Sequence, residues 1–435
     1  MASSRFGDTT GRRAVIVAGL RTPFVKSGTA YRDLSTIDLA KAVVAELVAR
    51  TDLDPGVIDS LVYGWVVTNP QTPNIAREVV FGTGLPRSIE AFSVSRACAT
   101  STQALVEASQ AIMLGAADVV ICGGADSLSK PPIMYTDHFA QTLMQVNNAR
   151  EPLQKARALL ELRPKDLVPN PPALKEAATG LTMGESAEKM AKENGITREA
   201  QDGIALRSHQ GASRAWENGV FAKEVMKLPV PPDFGTTVVR DAFVRPDTTL
   251  EKLSGLKPVF DRRYGTVTAG NSSALTDGAS AMLVMSESRA KELGFEPLAY
   301  VRSWAFAGVD PNWQLLSAPP LAAARALERA GYKLADMDLI DMHEAFAAQV
   351  VSNVKSMASR DYAKRFLGRD EPIGEVDPAK LNIYGGSIAI GHPFGATGVR
   401  QATTMANELA RRGSGKALIT QCAAGALGAA LILER

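Results

Sequence analysis

Apolar residues recur along this chain in two alternating rhythms, and their order predicts an α/β protein. Residues 14–19 form an unbroken apolar run that stops at Arg21-Thr22-Pro23-Phe24, as a buried strand entering a loop does. Residues 37–49 place apolar side chains at helical spacing, and 60–64 read as a second buried strand. A helix is predicted from just after Cys98 to about Leu114, followed by a buried strand over 117–124.

The same order returns near the C-terminus. A helix over 321–330 leads into 336–341, much as an earlier helix leads into 57–62. A helix over 398–411 then feeds a strand over 416–420. Both halves end such a strand on small residues, Cys122-Gly123-Gly124 in one and Cys422-Ala423-Ala424-Gly425 in the other. The recurrence implies an internal duplication. Between the copies, 130–256 is rich in Pro, Lys and Arg, with helical stretches at 154–162 and 184–192, and reads as a large insertion. The chain rejoins the α/β pattern at 265–273 and a strand over 281–285.

Composition narrows the function. Lys plus Arg number 48 against 46 Asp plus Glu, a net charge of +2, so nucleic-acid binding has no bulk electrostatic support. Three scattered cysteines make neither a disulfide framework nor a paired metal motif, and point to a reducing compartment. Residues 1–13 lack the apolar core of a signal peptide and are expected to be a disordered arm. No run approaches the ~18 apolar residues of a membrane span.

Chemistry concentrates in three places. Cys98 lies in Arg96-Ala97-Cys98-Ala99-Thr100, just before a predicted helix whose N-terminal dipole favours a thiolate. His392, one of four histidines, sits in Gly391-His392-Pro393-Phe394-Gly395, where glycines admit a ligand closely. Cys422 follows a strand. A nucleophilic thiol, an imidazole base and a second thiol suit acyl transfer through a covalent intermediate. Cys122, inside an apolar strand, reads as structural; His138 and His209 are read as solvated or structural, and Glu344 as a cap of the helix after it.

Six segments in order carry a family resemblance: Arg21-Thr22-Pro23-Phe24, 96–100, 266–273, His343-Glu344-Ala345-Phe346-Ala347, 391–398, and Cys422 with its small-residue tail. The chain resembles the thiolase family over essentially its whole length, most closely the β subunits of fatty-acid-oxidation trifunctional complexes. The resemblance implies a thiolase fold, two duplicated α/β domains in layers, each a five-stranded mixed sheet between helices. It divides the chain into 14–129 with 265–295, an inserted loop domain over 130–264, and 296–435. It implies Cys98 as nucleophile, His392 as base and Cys422 as second acid/base. His343 would hold a water for an enolate oxygen, and the backbone N–H groups of Cys98 and Ala424 would form a second oxyanion hole. CoA, a substrate rather than a bound cofactor, would lie against Ala269, Ser273, Met183 and Phe346, with Arg245 at its adenine or phosphate end; no metal is implied. The implied partners are 3-ketoacyl-CoA, a second copy in a homodimer, and an enoyl-CoA hydratase/3-hydroxyacyl-CoA dehydrogenase subunit in a heterotetramer. The setting is a bacterial-type cytoplasm, peripheral at a membrane through that complex. Three departures stand out: His343 where most relatives have Asn, Thr182 where many have His, and Ala424-Gly425-Ala426 in place of a glycine run. The last predicts strain at Ala424, since Ala tolerates positive φ poorly. Rival readings are a ketoacyl synthase (which lacks an equivalent of Cys422), a biosynthetic acetoacetyl-CoA thiolase, and an inactive CoA- or lipid-binding scaffold. The segment 154–175, with Arg157 and Arg163, is expected to dock the partner subunit or an anionic membrane.

Overall fold

The computed structural model describes residues 11–169 and 175–435. A ten-stranded sheet runs through the molecule in the order Leu339–Met342, Lys416–Ala423, Leu427–Glu434, Ala299–Gly308, Ala14–Arg21, Thr276–Ser286, Val119–Asp126, Ser60–Gly64, Glu90–Val94, with Val25–Lys26 attached to Thr276–Ser286. Outward from the middle, each half repeats one pattern of directions. Ala14–Arg21 pairs antiparallel with Thr276–Ser286, that strand antiparallel with Val119–Asp126, and that one parallel with Ser60–Gly64. Ala299–Gly308, Leu427–Glu434, Lys416–Ala423 and Leu339–Met342 repeat it.

Two details differ from a pair of separate five-stranded sheets. Val15 and Ile16 pair with Tyr300 and Ala299, so the halves join edge to edge. The fifth strand of the first half, Glu90–Val94, has as its counterpart only the bridge between Ile340 and Leu381. The chain turns on both sides of Leu381, with Lys380 N–H on the Asp377 carbonyl, Gly385 N–H on the Asn382 carbonyl and Asn382 at φ 48°, so no ladder extends from the bridge.

Helices Thr100–Met113 and Thr397–Arg412 form the inner layer. Their Ala104, Ala108, Val399, Ala402 and Ala406 share one core with Ile16, Val120, Val284, Ile419 and Leu433 from both halves of the sheet. Outer helices cover the far faces: Thr36–Thr51 on the first half, Pro319–Ala330 and Ala347–Met357 on the second. Small residues set the inner spacing. A Cβ on Gly398 would lie 2.1 Å from Thr102 Oγ1, and one on Gly124 2.2 Å from the Gly395 carbonyl oxygen.

The insertion supplies helices Asp137–Asn148, Pro152–Leu159, Met183–Glu193 and Arg198–Glu217 and the hairpin Leu228–Val230/Thr236–Val238. The helix expected at 154–162 starts earlier, because Pro152 suits a first helical turn, and it ends at Leu159. Past it comes a 3-10 turn, Pro164–Leu167, and 170–174 of the segment expected to dock a partner lie outside the described residues. Asp166 closes a helical hairpin formed by Asp137–Asn148, Pro152–Leu159 and this turn: its buried carboxylate accepts from Thr136 Oγ1 at 2.9 Å and from the Arg163 N–H at 3.0 Å, and meets His138 Nδ1 at 2.8 Å. Of the arm expected over 1–13, residues 1–10 lie outside the described ones. Arg12 and Arg13 are anchored, against that expectation, by ion pairs to Asp118 and Glu287. No helix among the described residues is long and apolar enough to cross a membrane.

The Gly398–Thr102 approach sets the distance between the inner helices. Gly398→Val should therefore destabilise the protein by about 2–3 kcal/mol through overpacking. An unchanged denaturation midpoint would show that the helices do not bear on each other there.

Candidate active site

Cys98 stands at the tip of a tight turn into the inner-layer helix. Ala97 takes a positive φ of 44°, and Arg96 N–H donates to Thr100 Oγ1 at 2.8 Å, so the chain reverses immediately before the first helical residue. Cys98 is partly exposed while Cys122 and Cys422 are buried. The backbone N–H groups of Ala424 and of Cys98 itself act on the Cys98 sulfur to lower its thiol. Burial nevertheless pushes the thiol up to about 12, with Asp126 adding to the rise. This corrects the expectation of a depressed thiol: desolvation outweighs the helix dipole and both N–H groups.

His392 is held at both ends. Gly391 has φ 108°, and a Cβ there would meet Thr276 Cγ2 at 2.8 Å, which fits the close glycine turn read from the sequence. His392 N–H donates to Thr276 Oγ1 at 2.8 Å, and Gly395 N–H to the buried Asp126 at 2.6 Å. The ring's Nδ1 meets Thr397 Oγ1 at 2.6 Å. His343 follows strand Leu339–Met342; its N–H donates to the Thr420 carbonyl at 2.8 Å and its Nδ1 meets Ser387 Oγ at 3.0 Å. The two rings lie 4.1 Å apart between centroids.

With both Nδ1 atoms engaged, both Nε2 atoms are buried and have no protein partner. A ring nitrogen from each histidine and the Cys98 sulfur lie within 4.8 Å of one another. Buried polar atoms are seldom left so, and a shared unpaired pair marks a place where a ligand's oxygen would sit. Burial holds His343 well below its usual value and His392 down to about 3, with the Arg400 charge adding to both. Both rings are therefore neutral. These three side chains could also share a metal ion on distance alone.

Cys422 lies within strand Lys416–Ala423, one residue from its end, and feels the Cys98 thiol directly. Burial, first, and Cys98, second, push its thiol well up. In the following turn positive φ falls on Gly425 at 81° and Ala426 at 57°. The strain expected at Ala424 is thus carried by Ala426, whose carbonyl accepts the Val309 N–H at 3.0 Å. Glu344 does not cap the next helix, which begins after Phe346 without a side-chain cap. It accepts from Ser208 Oγ at 2.6 Å, Asn382 Nδ2 at 2.7 Å and Ile388 N at 3.3 Å, and so fixes the turn that carries Ser387.

A cleft of about 550 Å³ lies beside this centre, lined by Arg245, Ala269 and Ser273 among others. The segment that forms its wall runs on to Leu275, which bridges to His392. Phe346 and Met183 do not line it. Phe346 packs edge-on against the lining residue Phe260 at 6.1 Å, and Met183 joins both, with Cys422, in one apolar cluster. Thr182 N-caps the helix Met183–Glu193. His209, dismissed in the sequence reading, lines the cleft; its Nδ1 accepts the Arg245 N–H at 3.3 Å and burial lowers it to about 4. Lys26 adds positive charge to that wall, while Lys252 is paired there with Asp247 at 2.5 Å. No local signal marks His209, because its partner is remote in sequence. The Arg21-Thr22-Pro23-Phe24 motif is structural: Arg21 is fully buried on Asp241, at 2.6 and 2.9 Å, and Glu224.

Comparison with known proteins agrees with this geometry. The model of the thiolase N-terminal domain matches residues 14–288 and that of the thiolase C-terminal domain matches 295–435. The chain belongs to the thiolase family. It is 54% identical, over 98% of its length and 97% of the relative's, to a 3-ketoacyl-CoA thiolase of Serratia proteamaculans, and 53% identical to one of Aeromonas salmonicida with the same coverage. It superimposes on a Bacillus anthracis acetyl-CoA acetyltransferase with a TM-score of 0.83, at 32% identity over 97% of this chain and 98% of that one. Human mitochondrial 3-ketoacyl-CoA thiolase in complex with CoA gives a TM-score of 0.80, at 30% identity over 97% and 98% of the two chains.

The raised thiol gives a pH prediction. A thiol at about 12 carries more thiolate at each step toward high pH, so Cys98 alkylation by iodoacetamide should keep accelerating from pH 7 to 9. A plateau reached below pH 7 would mean a resting thiolate–imidazolium pair instead.

Proposed function

We propose that the protein catalyses 3-ketoacyl-CoA + CoA → acetyl-CoA + an acyl-CoA shortened by two carbons. The observation that carries this is the convergence of the Cys98 sulfur with a ring nitrogen from each of His343 and His392, whose Nε2 atoms have no protein partner, beside a second thiol. Cys98 adds to the 3-keto carbon while His392 Nε2 takes its proton, and the N–H groups of Cys98 and Ala424 receive the oxygen's developing charge. Scission of the C2–C3 bond leaves an acyl-Cys98 and the enolate of acetyl-CoA. His343, through a water, and His392 stabilise that enolate oxygen, and Cys422 protonates the carbon. Cys422 then takes the thiol proton of incoming CoA, whose sulfur displaces Cys98 from the acyl group. A neutral, largely buried site suits these steps, because each charge appears only as the reaction proceeds.

The cleft's Arg245 and Lys26 suit the phosphates of CoA, with Ala269 and Ser273 against its pantetheine. The 3-ketoacyl-CoA thiolases at 54% and 53% identity favour breakdown of fatty acyl chains, in β-oxidation in a bacterial-type cytoplasm. The acetyl-CoA acetyltransferase at 32% identity keeps a biosynthetic C4 enzyme as the second reading. A profile of thiolysis against chain length separates them: activity on C8 and longer 3-ketoacyl-CoA supports the first, activity confined to acetoacetyl-CoA the second.

A homodimer fits the outer edge of Glu90–Val94, an end strand of the sheet with Phe92 39% exposed. The hairpin of the insertion fits docking of the hydratase/dehydrogenase subunit, since Met144, Leu153, Leu160, Leu167 and Val168 are exposed there together. Arg163 is tied to Asp166, which leaves Arg157 as the cleaner probe.

Brief incubation with an acyl-CoA should leave a thioester on the Cys98 peptide, seen by mass spectrometry as the acyl mass. An adduct on Cys422 would exchange the two roles. Arg157→Glu with Leu160→Glu should weaken co-purification with the hydratase/dehydrogenase subunit and leave thiolysis of free substrate intact. Loss of thiolysis with co-purification retained would assign the hairpin to the active site, and loss only of binding to anionic vesicles would assign it to a membrane.

A further inference from the structure

We propose that Ser387, backed by Arg400, fixes His343 with its proton on Nε2, while Thr397 and Pro393 fix His392 with its proton on Nδ1. The two facing imidazoles then present opposite groups to the same point, a donor from one and a lone pair from the other. The tautomers follow from which neighbours of each hydroxyl can donate and which can only accept.

Beside His392, Thr397 Oγ1 donates to the Pro393 carbonyl at 3.0 Å, the usual back-bond of a helical threonine. That carbonyl also takes the Ala396 N–H at 3.1 Å, and its second lone pair takes the hydroxyl's single proton. The 2.6 Å contact between Thr397 Oγ1 and His392 Nδ1 is then donated by the ring. Nε2 is left as a bare lone pair facing Cys98, the form a base needs. Beside His343 the polarity reverses. Ser387 Oγ accepts from Arg400 Nη2 at 3.2 Å, and a guanidinium only donates. The hydroxyl's proton goes to its remaining partner, His343 Nδ1 at 3.0 Å. The ring accepts there and carries its proton on Nε2, aimed at the shared site.

Arg400 is itself fixed, fully buried, with Nη1 3.4 Å from Asp341 Oδ2, while Asp341 Oδ1 takes Gln401 Nε2 at 2.5 Å. Asp341, Arg400, Ser387 and His343 thus form one line of hydrogen bonds from strand Leu339–Met342 to the active site. Ser387 is a positioning residue: it touches no substrate and acts through the ring. A metal shared by both Nε2 atoms would need lone pairs on both, and this network opposes that. An asparagine at 343, as in most relatives, offers an amide N–H without any tautomer to control. Ser387 should therefore matter only when 343 is His.

The tautomers can be read independently of activity, while the effect on rate rests on the thiolysis reading. With four histidines in the chain, 15N-histidine labelling with assignment by single substitutions resolves each ring. The expected result is Nε2–H at His343 and Nδ1–H at His392, with Ser387→Ala moving His343 toward Nδ1–H. In steady state, Ser387→Ala should lower kcat about tenfold to a hundredfold, the range for weakening one oxyanion-stabilising donor, and leave KM for CoA unchanged. In a His343→Asn background the same change should cost less than about threefold. Nδ1–H at His343 in the unmodified protein overturns the proposal, whatever the variants do. Equal losses in both backgrounds also overturn it, because they mean Ser387 acts by packing. Loss of thiolysis altogether with the expected tautomers would instead count against the reaction assigned above.

Discussion

The active site depends on how closely the two halves of the molecule pass each other where their inner helices begin. Gly398 lies against Thr102, and Gly395 crosses the end of Val119–Asp126 at Gly124, with room for no side chain at either crossing. Cys98 precedes one of these helices and His392 precedes the other. Their contact is therefore set by backbone packing rather than by long, mobile side chains, which is the kind of support a reacting pair needs. Asp126 reinforces the join: it accepts N–H groups from Val66, Val67 and Gly395, and so ties turns from both halves to one buried carboxylate.

A site assembled this way is largely buried, and burial decides its electrostatics. Both thiols are pushed up and both imidazoles down, so at rest these four side chains carry no charge. Arg400, whose charge acts on both rings, is paired with Asp341 and hydrogen-bonds the Ser387 hydroxyl. Thiol chemistry under these conditions cannot draw on a standing thiolate. It needs a base in contact, and the backbone N–H groups of Cys98 and Ala424 lower the cost of ionising the sulfur.

Much of this was legible in the chain. Unbroken apolar runs gave the buried strands, and small-residue settings picked out Cys98, His392 and Cys422, since only such turns let reacting atoms approach backbone. What stayed hidden has a common cause. The helix dipole at Cys98 can be read from sequence, but the burial that overrides it cannot. Ser387 and His209 act through partners at 343 and 245, and nothing local announces those pairs. The strain placed at Ala424 moved to Ala426 because turn geometry, not residue identity alone, decides which position takes positive φ. The join of the two half-sheets through Val15 and Ile16 likewise leaves no mark on the alternation of either half.

The insertion was the least legible part, and it bears directly on the site. Its side chains hold one loop of the active centre after another by that loop's own polar groups. Glu188 accepts the N–H groups of Thr266 and Val267, and Asp202 accepts from Asn271, at the loop that walls the cleft. Ser208 takes the Gly386 N–H beside Ser387, and Asp241 the Phe24 N–H under the His392 turn. Glu176 takes the Gly425 N–H at 2.7 Å, one peptide beyond the Ala424 N–H that acts on the Cys98 sulfur. Each of these bonds spans a long stretch of sequence, so none could be inferred from spacing. Together they make the insertion the clamp on the segments that the two duplicated halves bring together.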